Sequence, residues 1–340
     1  MKKFSIALMG FGRIGSLHSR VLSKMVQVDK IIVIEIDELK RIEAKNLSQK
    51  IVVYSSISEC MVNENGIDYL TICTPSTTHY ENLRLALDFG LSTLVEKPFV
   101  TNLNDGHQLI EDCKNGKLLI GVGHVERYNS SVIKAKELIE IGTIGDIFEI
   151  HTRRWGGMPQ APDTGVILDL ASHDVDLCRF LLGEEYSQIS ASAGGWMDAF
   201  SKVIESTAVI CGISTNQTLI SNSVSWRGTA KTREIIILGD KGCLQINTSI
   251  SELILLQKSK SNFDYENLKF LIGENQSTST VIDHPKIEPI RAEHLAFQQG
   301  LMNSSMRYKV VGLEDAFKSL EVLEAAMVSH TENRVVKLLN

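Results

Sequence analysis

Asp169 and His173 stand four residues apart in a run with helical apolar spacing, so both side chains project from one face of a predicted helix. An imidazole beside a carboxylate is a common device for moving protons near neutral pH. The same spacing describes an ordinary helix ion pair, which is the plainer reading of these two residues alone. Asp176 lies three residues beyond His173 on the same side. A second group, Glu96-Lys97-Pro98, directly follows the buried-strand pattern of residues 92–95. That places it at the carboxyl edge of a sheet, where open α/β folds bind ligands. Pro98 biases Lys97 away from helical geometry. The alternative is a surface Glu–Lys pair ending a strand. Thr74-Pro75 with His79 ends another strand at that edge, although His79 unaided reads as a helix-start residue.

Gly10-Phe11-Gly12-Arg13-Ile14-Gly15 fits G-x-G-x-x-G between a predicted strand and a predicted helix. In that setting Gly10 permits the tight turn, Gly12 lets a pyrophosphate approach the helix N-terminus, and Gly15 lets helix and strand pack closely. Glu35 stands 20 residues beyond Gly15, at the end of the second strand. A carboxylate there accepts both ribose hydroxyls and repels a 2′-phosphate, which favours NAD over NADP. Alternatively Glu35 and Asp37 are solvated strand-end acids, and the nearby Lys40 and Arg41 could tolerate a phosphate. A methyltransferase domain also carries an acid at this place, but the regular glycine spacing counts against it.

The elements needed to position these residues follow from the apolar periodicity. Strands are expected at residues 4–9, 30–36, 52–54, 67–73, 92–95 and 117–122, with helices at 14–25, 37–46, 78–89 and 103–113. Strands separated by helices imply right-handed crossovers and a parallel sheet. The pattern changes near residues 122–128. A helix at 131–140, an extended stretch at 146–152, a loop through Pro162 and a helix at 166–182 stopped by Gly183 come next. Extended segments then follow in series at 188–194, 203–213, 218–226, 233–238, 244–247 and 253–258, which implies an antiparallel sheet. Residues 259–290 are polar and irregular, and helices at 291–302 and 313–328 end the chain. The expected fold class is α/β. A Rossmann domain with a doubly wound parallel sheet covers residues 1–123, and an α+β domain with an open, mostly antiparallel sheet covers residues 124–340. The C-terminal helices are free to pack back on the first domain.

Composition narrows the function classes. The 340 residues carry a formal charge of −6, with acids and bases scattered through the chain. No basic block points to nucleic acid, and no stretch of about 18 apolar residues points to a membrane span. Lys2-Lys3 followed by Phe4–Met9 mimics a signal peptide, but the interruption at Gly10 favours a first buried strand. The six cysteines form no C-x-x-C, and most lie in apolar runs, so a reducing, cytoplasmic setting is expected. The histidines show no metal-ligand spacing, and no metal is expected.

Together these segments, with Gly312-Leu313-Glu314-Asp315-Ala316 near the end, resemble the family of glucose–fructose oxidoreductase and inositol dehydrogenase over nearly the whole chain. The resemblance implies a Rossmann domain plus an open-sheet domain, with Lys97, Asp169 and His173 as the catalytic group. It carries over Gly10 to Gly15, Thr74, Pro75, His79, Glu96 and Lys97 as cofactor contacts, and it implies homodimers or homotetramers. On that reading His173 takes the proton of a secondary hydroxyl while hydride leaves the same carbon. Imidazole, with an ordinary pKa of about 6.5, suits that task. Asp169 orients the ring, and Lys97 hydrogen-bonds the reacting oxygen.

A narrower resemblance runs through residues 121–129, Arg153-Arg154 with Pro159, and residues 163–176. These are similar to a subgroup that oxidises the 3-hydroxyl of UDP-N-acetylglucosamine. Ser130 departs from its usual proline, and Trp155-Gly156-Gly157-Met158 replaces a Gly-Pro element. Arg127, Arg153 and Arg154 are the candidates for diphosphate binding, with Asp176 beside the substrate; surface salt bridging is their plainer role. Trp155 and Trp226 could stack on a sugar or base, but core packing is the plainer reading of both. His124 and His294 are further pocket candidates. The competing functions are a dehydrogenase of a free polyol or aldose, an NAD-using hydrolase, and an NAD-binding regulator.

Overall fold

The computed structural model describes residues 2–114, 116–159, 162–199, 202–258 and 277–338. Residues 160 and 161 of the expected loop, and residues 259–276 of the expected irregular stretch, lie outside them. The chain divides into two units, Met1–Val125 with Glu288–Glu321, and Glu126–Ile287 with Val322–Asn340.

In the first unit the apolar runs form β1 (Phe4–Met9), β2 (Val28–Ile34), β3 (Ile51–Tyr54), β4 (Tyr69–Ile72), β5 (Thr93–Glu96) and β6 (Ile120–Gly123). Their order is β3-β2-β1-β4-β5-β6, with every pairing parallel. The order reverses between β1 and β4, the switch point where doubly wound sheets bind ligands. The crossovers are α1 (Arg13–Lys24), α2 (Glu38–Leu47), α3 (Ile57–Asn63), α4 (His79–Asp88) and α5 (Leu103–Cys113). α3 was not expected, yet its start is a local signal. Ser56 accepts from the Glu59 amide while the Glu59 carboxylate accepts from Ser55, a near relative of the capping box.

Phe4, Ile6, Leu8, Leu22, Ile31, Val33, Tyr69 and Leu94 make the core, and Phe297 and Val310 from the returning segment complete it. Each such side chain contributes about 1.5–3 kcal/mol on burial. A Cβ at Gly121 would stand 2.5 Å from Val310 Cγ1 and 3.1 Å from the Phe297 ring. That glycine therefore lets α8 (Pro289–Met302) lie close against β6.

The second unit holds α6 (Ser130–Glu140), β7 (Ile147–Trp155), α7 (Ser172–Leu182), β8 (Tyr186–Gly194), β9 (Met197–Ala199), β10 (Lys202–Ile204), β11 (Thr207–Ser214) and β12 (Leu219–Ser225). It continues with β13 (Thr232–Gly239), β14 (Gly242–Asn247), β15 (Glu252–Lys258), β16 (Ser277–Val281) and β17 (Val336–Lys337). Nine of these strands form one sheet, β16-β15-β14-β13-β7-β12-β11-β8-β17, antiparallel except for the parallel β7–β12 pair. β11 alternates in the expected way, with Ala208 and Ile210 buried and Val209 and Cys211 facing outward. α7 packs over β7 and β12.

Within the stretch expected to be irregular, Ser277–Val281 forms β16, paired with β15, and two of the expected elements are interrupted. The helix predicted at 166–182 divides into a π-turn, Ile167–Ala171, and α7. The strand predicted at 203–213 breaks between β10 and β11. Both have one cause. Glu205, at the break, accepts from the Val166 amide through its carbonyl and from the Ile167 amide through Oε1. Those contacts satisfy two of the donors that a helix start leaves open.

Candidate active site

Around the glycine-rich loop, each glycine answers a distinct steric demand. Gly10 has φ +90°, and a Cβ there would lie 2.9 Å from the Cys73 carbonyl oxygen. A Cβ on Gly15 would lie 2.0 Å from the Gly10 oxygen. Gly12 is different: nothing lies within 4 Å of its Cβ position. It occupies the N-cap of α1 without a side-chain cap, so open space meets the unbonded first-turn amides, which suits a pyrophosphate. Phe11 is buried, Ile14 packs against the core and Arg13 is exposed.

Glu35 ends β2 and is 8% exposed. Its Oε2 accepts from the Phe11 amide at 2.6 Å and its Oε1 from the Asp37 amide at 2.9 Å. The carboxylate therefore braces the loop while each oxygen keeps a lone pair, which fits a ribose diol. Arg41 donates to the carbonyls of Glu35 and Ile36, and Asp37 caps α2. The loop, open glycine and braced acid fit a dinucleotide.

Along the same edge, His79 links two strand ends. Its Nδ1 lies 2.8 Å from the Pro98 carbonyl and its Nε2 2.9 Å from the Thr74 carbonyl. Thr74 Oγ1 accepts from Thr78 and Asn82, and Pro75 leads into the turn before α4. Glu96 ends β5, with Lys97 next and half-buried; the Lys97–Pro98 peptide is cis. Burial pushes the Glu96 carboxyl up. The hydrogen bond from His18, with the charge of Lys97, outweighs it and holds the group below the ordinary range.

In the second unit, residues 165–179 are buried except Asp169 and His173, which are half-buried. A helix otherwise enclosed thus presents its carboxylate and its imidazole. Trp226, only 3% exposed, donates from Nε1 to Asp169 Oδ2 at 3.1 Å. The sequence offered no signal for that bond, because the two residues are 57 apart.

The arginines sit in ion pairs. Arg127 grips Asp176 with two bonds, of 2.8 and 2.6 Å, and stacks 5.2 Å from the Phe180 ring; Asp176 is 1% exposed. Arg154, itself buried, spans Asp174 at 2.7 Å and Glu126 at 2.8 Å. Burial raises the Glu126 carboxyl, but Arg154 outweighs it and the group lies below the ordinary range. At Asp174 burial wins and the carboxyl is held up. Arg153 is exposed, pairs with Glu234 and lies over the Trp155 ring. Trp155 Nε1 donates to Ser223. His294 is buried in the first unit, and so is His124.

Comparison with known proteins gives the family. Residues 4–124 match an oxidoreductase family's NAD-binding Rossmann fold, and residues 136–338 match the C-terminal alpha/beta domain of that family. A myo-inositol 2-dehydrogenase of Thermotoga maritima is 26% identical over 57% of this chain and 59% of its own length. A scyllo-inositol 2-dehydrogenase (NAD(+)) of Bacillus subtilis is 30% identical over 54% of this chain and 55% of its own. The matched stretches thus span little more than half of these curated relatives. The UDP-N-acetylglucosamine 3-dehydrogenase GnnA of Acidithiobacillus ferrooxidans shares the fold, with a TM-score of 0.77 at 19% identity over 97% of both chains. With both of its domain patterns matched in order along the sequence, the chain belongs to the Gfo/Idh/MocA oxidoreductase family.

Proposed function

We propose that the chain is an NAD-dependent oxidoreductase that transfers hydride between nicotinamide and a secondary hydroxyl of a sugar. The observation that carries this reading is the exposure of Asp169 and His173 alone within the buried stretch 165–179. A merely structural ion pair has no need of solvent, whereas a proton acceptor must meet its substrate. Nicotinamide, when bound, supplies the hydride acceptor or donor. His173 takes the hydroxyl proton in oxidation and returns it to a carbonyl in reduction. Asp169, pinned by Trp226, orients that ring. Lys97 donates to the substrate oxygen as it gains charge.

Gly10, Phe11, Gly12, Arg13, Ile14 and Gly15 hold the pyrophosphate, with Glu35 on the ribose. Thr74, Pro75, His79 and Glu96 shape the floor beside Lys97. The brace of Glu35 against the loop supports NAD over NADP, since a 2′-phosphate would meet a carboxylate fixed in place.

For the substrate we favour a nucleotide sugar such as UDP-N-acetylglucosamine at its 3-hydroxyl, supported by the resemblance of residues 121–129 and 163–176 to the subgroup that oxidises it. Arg153 is exposed, but it alternates with the buried Arg154 along β7 and so faces away from α7, on the side of the sheet that carries Val209. Arg127 and Arg154 act by holding Asp176, Asp174 and Glu126. The inositol dehydrogenases among the relatives support a second reading, oxidation of a free polyol. The outward face of the nine-stranded sheet, with Val209 and Leu219 exposed, suits a homodimer or homotetramer. No helix among the described residues is long and apolar enough to cross a membrane, and the cysteines form no disulfide, in keeping with a cytoplasmic setting.

NADH absorbance across a panel of UDP-sugars, polyols and aldoses tests the reading. Turnover restricted to UDP-sugars supports the first substrate, and turnover with inositol supports the second. His173→Ala and Lys97→Ala should keep NAD affinity and lose turnover. Wild-type rates in both would remove the catalytic assignment.

A further inference from the structure

Behind Glu96 the first unit buries a line of polar side chains that the proposed reaction does not use. Gln298 Nε2 donates to Tyr69 Oη at 3.2 Å. Tyr69 Oη lies 2.8 Å from His294 Nδ1, His294 Nε2 lies 2.8 Å from His18 Nδ1, and His18 Nε2 lies 3.0 Å from Glu96 Oε1. Tyr69, His294, His18 and Gln298 are each at most 2% exposed.

The direction of this line follows from its ends. An ionised carboxylate only accepts, so His18 carries its proton on Nε2. Taking His18 as a neutral imidazole, which has one N–H, its Nδ1 accepts and His294 Nε2 donates. His294 Nδ1 must then accept the Tyr69 hydroxyl, whose oxygen in turn accepts from the Gln298 amide. Every link is satisfied in one direction, with both rings neutral and both in the Nε2–H form. Burial holds His294 well below its ordinary range, in keeping with a neutral ring there.

Glu293 shows what this direction achieves. It is 1% exposed, neither of its carboxyl oxygens has a hydrogen-bond partner, and one of them comes within 4.8 Å of a His18 nitrogen and a Glu96 oxygen. Two carboxyls so close in a dry interior cannot both ionise. His18 donates to Glu96, so Glu96 keeps the charge and Glu293 keeps the proton. Burial, then the charge on Glu96, push the Glu293 carboxyl far up. The other groups bearing on the pair are Lys97 and His79 at Glu96, Glu288 at Glu293, the buried Cys73 at both, and Asp68 at Tyr69. A cation bridging His18, Glu96 and Glu293 would need the Nε2 lone pair of His18, and that nitrogen is already the donor to Glu96.

We infer that Gln298, Tyr69, His294 and His18 form a one-directional hydrogen-bond chain ending on Glu96, which makes Tyr69, His294 and His18 positioning residues for the Glu96–Lys97 pair. The inference rests on the role proposed for Lys97. Its two parts are read separately in the full-length protein.

Selective 15N-histidine labelling with long-range proton–nitrogen correlation reports ring tautomers without any turnover. His18→Gln and Tyr69→Phe identify the two signals. The expected spectrum has both rings neutral with the proton on Nε2. An imidazolium at His18, a proton on either Nδ1, or a change in the His18 signal on adding Zn2+ or Mn2+ overturns the chain. Tyr69→Phe keeps the packed ring but removes the donor to His294. It should lower kcat about 5- to 10-fold with KM little changed, the loss expected for one buried hydrogen bond. Unchanged kcat in that variant, with Lys97→Ala inactive, overturns the positioning role. Wild-type turnover by Lys97→Ala would instead sink the proposed function, leaving the tautomers to decide the chain.

Discussion

Replacing Trp226 with Phe removes one N–H from a buried ring and little else, so it isolates the bond to Asp169. The donor is 3% exposed and the contact is 3.1 Å. Hydrogen bonds to charged groups are worth about 1.5–3 kcal/mol. The long contact and the half-buried Asp169, which water can reach, place this one at the low end. A loss of about 1.5 kcal/mol in the transition state is about a tenfold fall in kcat. The smaller ring also leaves a void, which costs stability by about 1–2 kcal/mol, so rates belong well below the melting transition. The assay is initial-rate NADH absorbance at saturating NAD, with kcat and KM separated and NAD affinity measured by fluorescence.

A double-mutant cycle sharpens the test. If Trp226 acts by orienting Asp169, then Trp226→Phe added to Asp169→Asn should cost almost nothing further, a coupling near the whole of the single effect. Additive losses in that cycle would refute the reasoning, as would a Trp226→Phe enzyme within twofold of wild type. A change confined to KM would also refute it, since orienting a base acts on the chemical step.

Gly12→Ala and Gly15→Ala should part company. The first Cβ points into open space and the second meets backbone 2.0 Å away, so Gly12→Ala should melt as wild type yet bind NAD about tenfold more weakly or worse, whereas Gly15→Ala should lose about 1–3 kcal/mol or more in a urea titration. Arg154→Met leaves Glu126 and Asp174 without their shared partner and should cost about 3–5 kcal/mol at neutral pH. The depressed Glu126 stabilises the fold above its unfolded pKa and loses that contribution as pH falls through its folded value, while the raised Asp174 contributes below its unfolded pKa and loses it as pH rises. Without Arg154 both carboxyls move up, so the deficit should shrink on going from about pH 7 to pH 5; urea midpoints at the two values check the sign, and a deficit that grows on acidification would contradict it. Glu205→Ala removes the acceptor for the Ile167 amide and should lower kcat about fivefold and stability by about 1 kcal/mol, measured by rates and by urea titration.

What could be read along the chain was whatever depends on near neighbours. The Gly10 to Gly15 loop, the acid at Glu35, the crossovers of the first sheet and the alternation along β11 each express a period or a spacing within a few residues. The Asp169–His173 pair was visible as a spacing; that it stays half-buried while its neighbours are buried was not. The helix predicted straight through 166–182 and the strand predicted straight through 203–213 both failed at the place where they meet, because Glu205 leaves its strand to hold the first turn. No local pattern encodes that exchange.

Sequence alone determined the two fold classes, the glycine-rich loop and the candidate chemistry, since periodicity, turn geometry and charge type are properties of short stretches. Tertiary structure decided which strands are neighbours, down to the parallel β7–β12 pair in a sheet otherwise antiparallel. It also decided which arginines carry internal carboxylates, which indole holds Asp169, and that His18, Glu96 and His294 share one line of protons. Those contacts join residues tens to hundreds of positions apart. Their partners are selected by packing, which leaves no periodic trace in the chain.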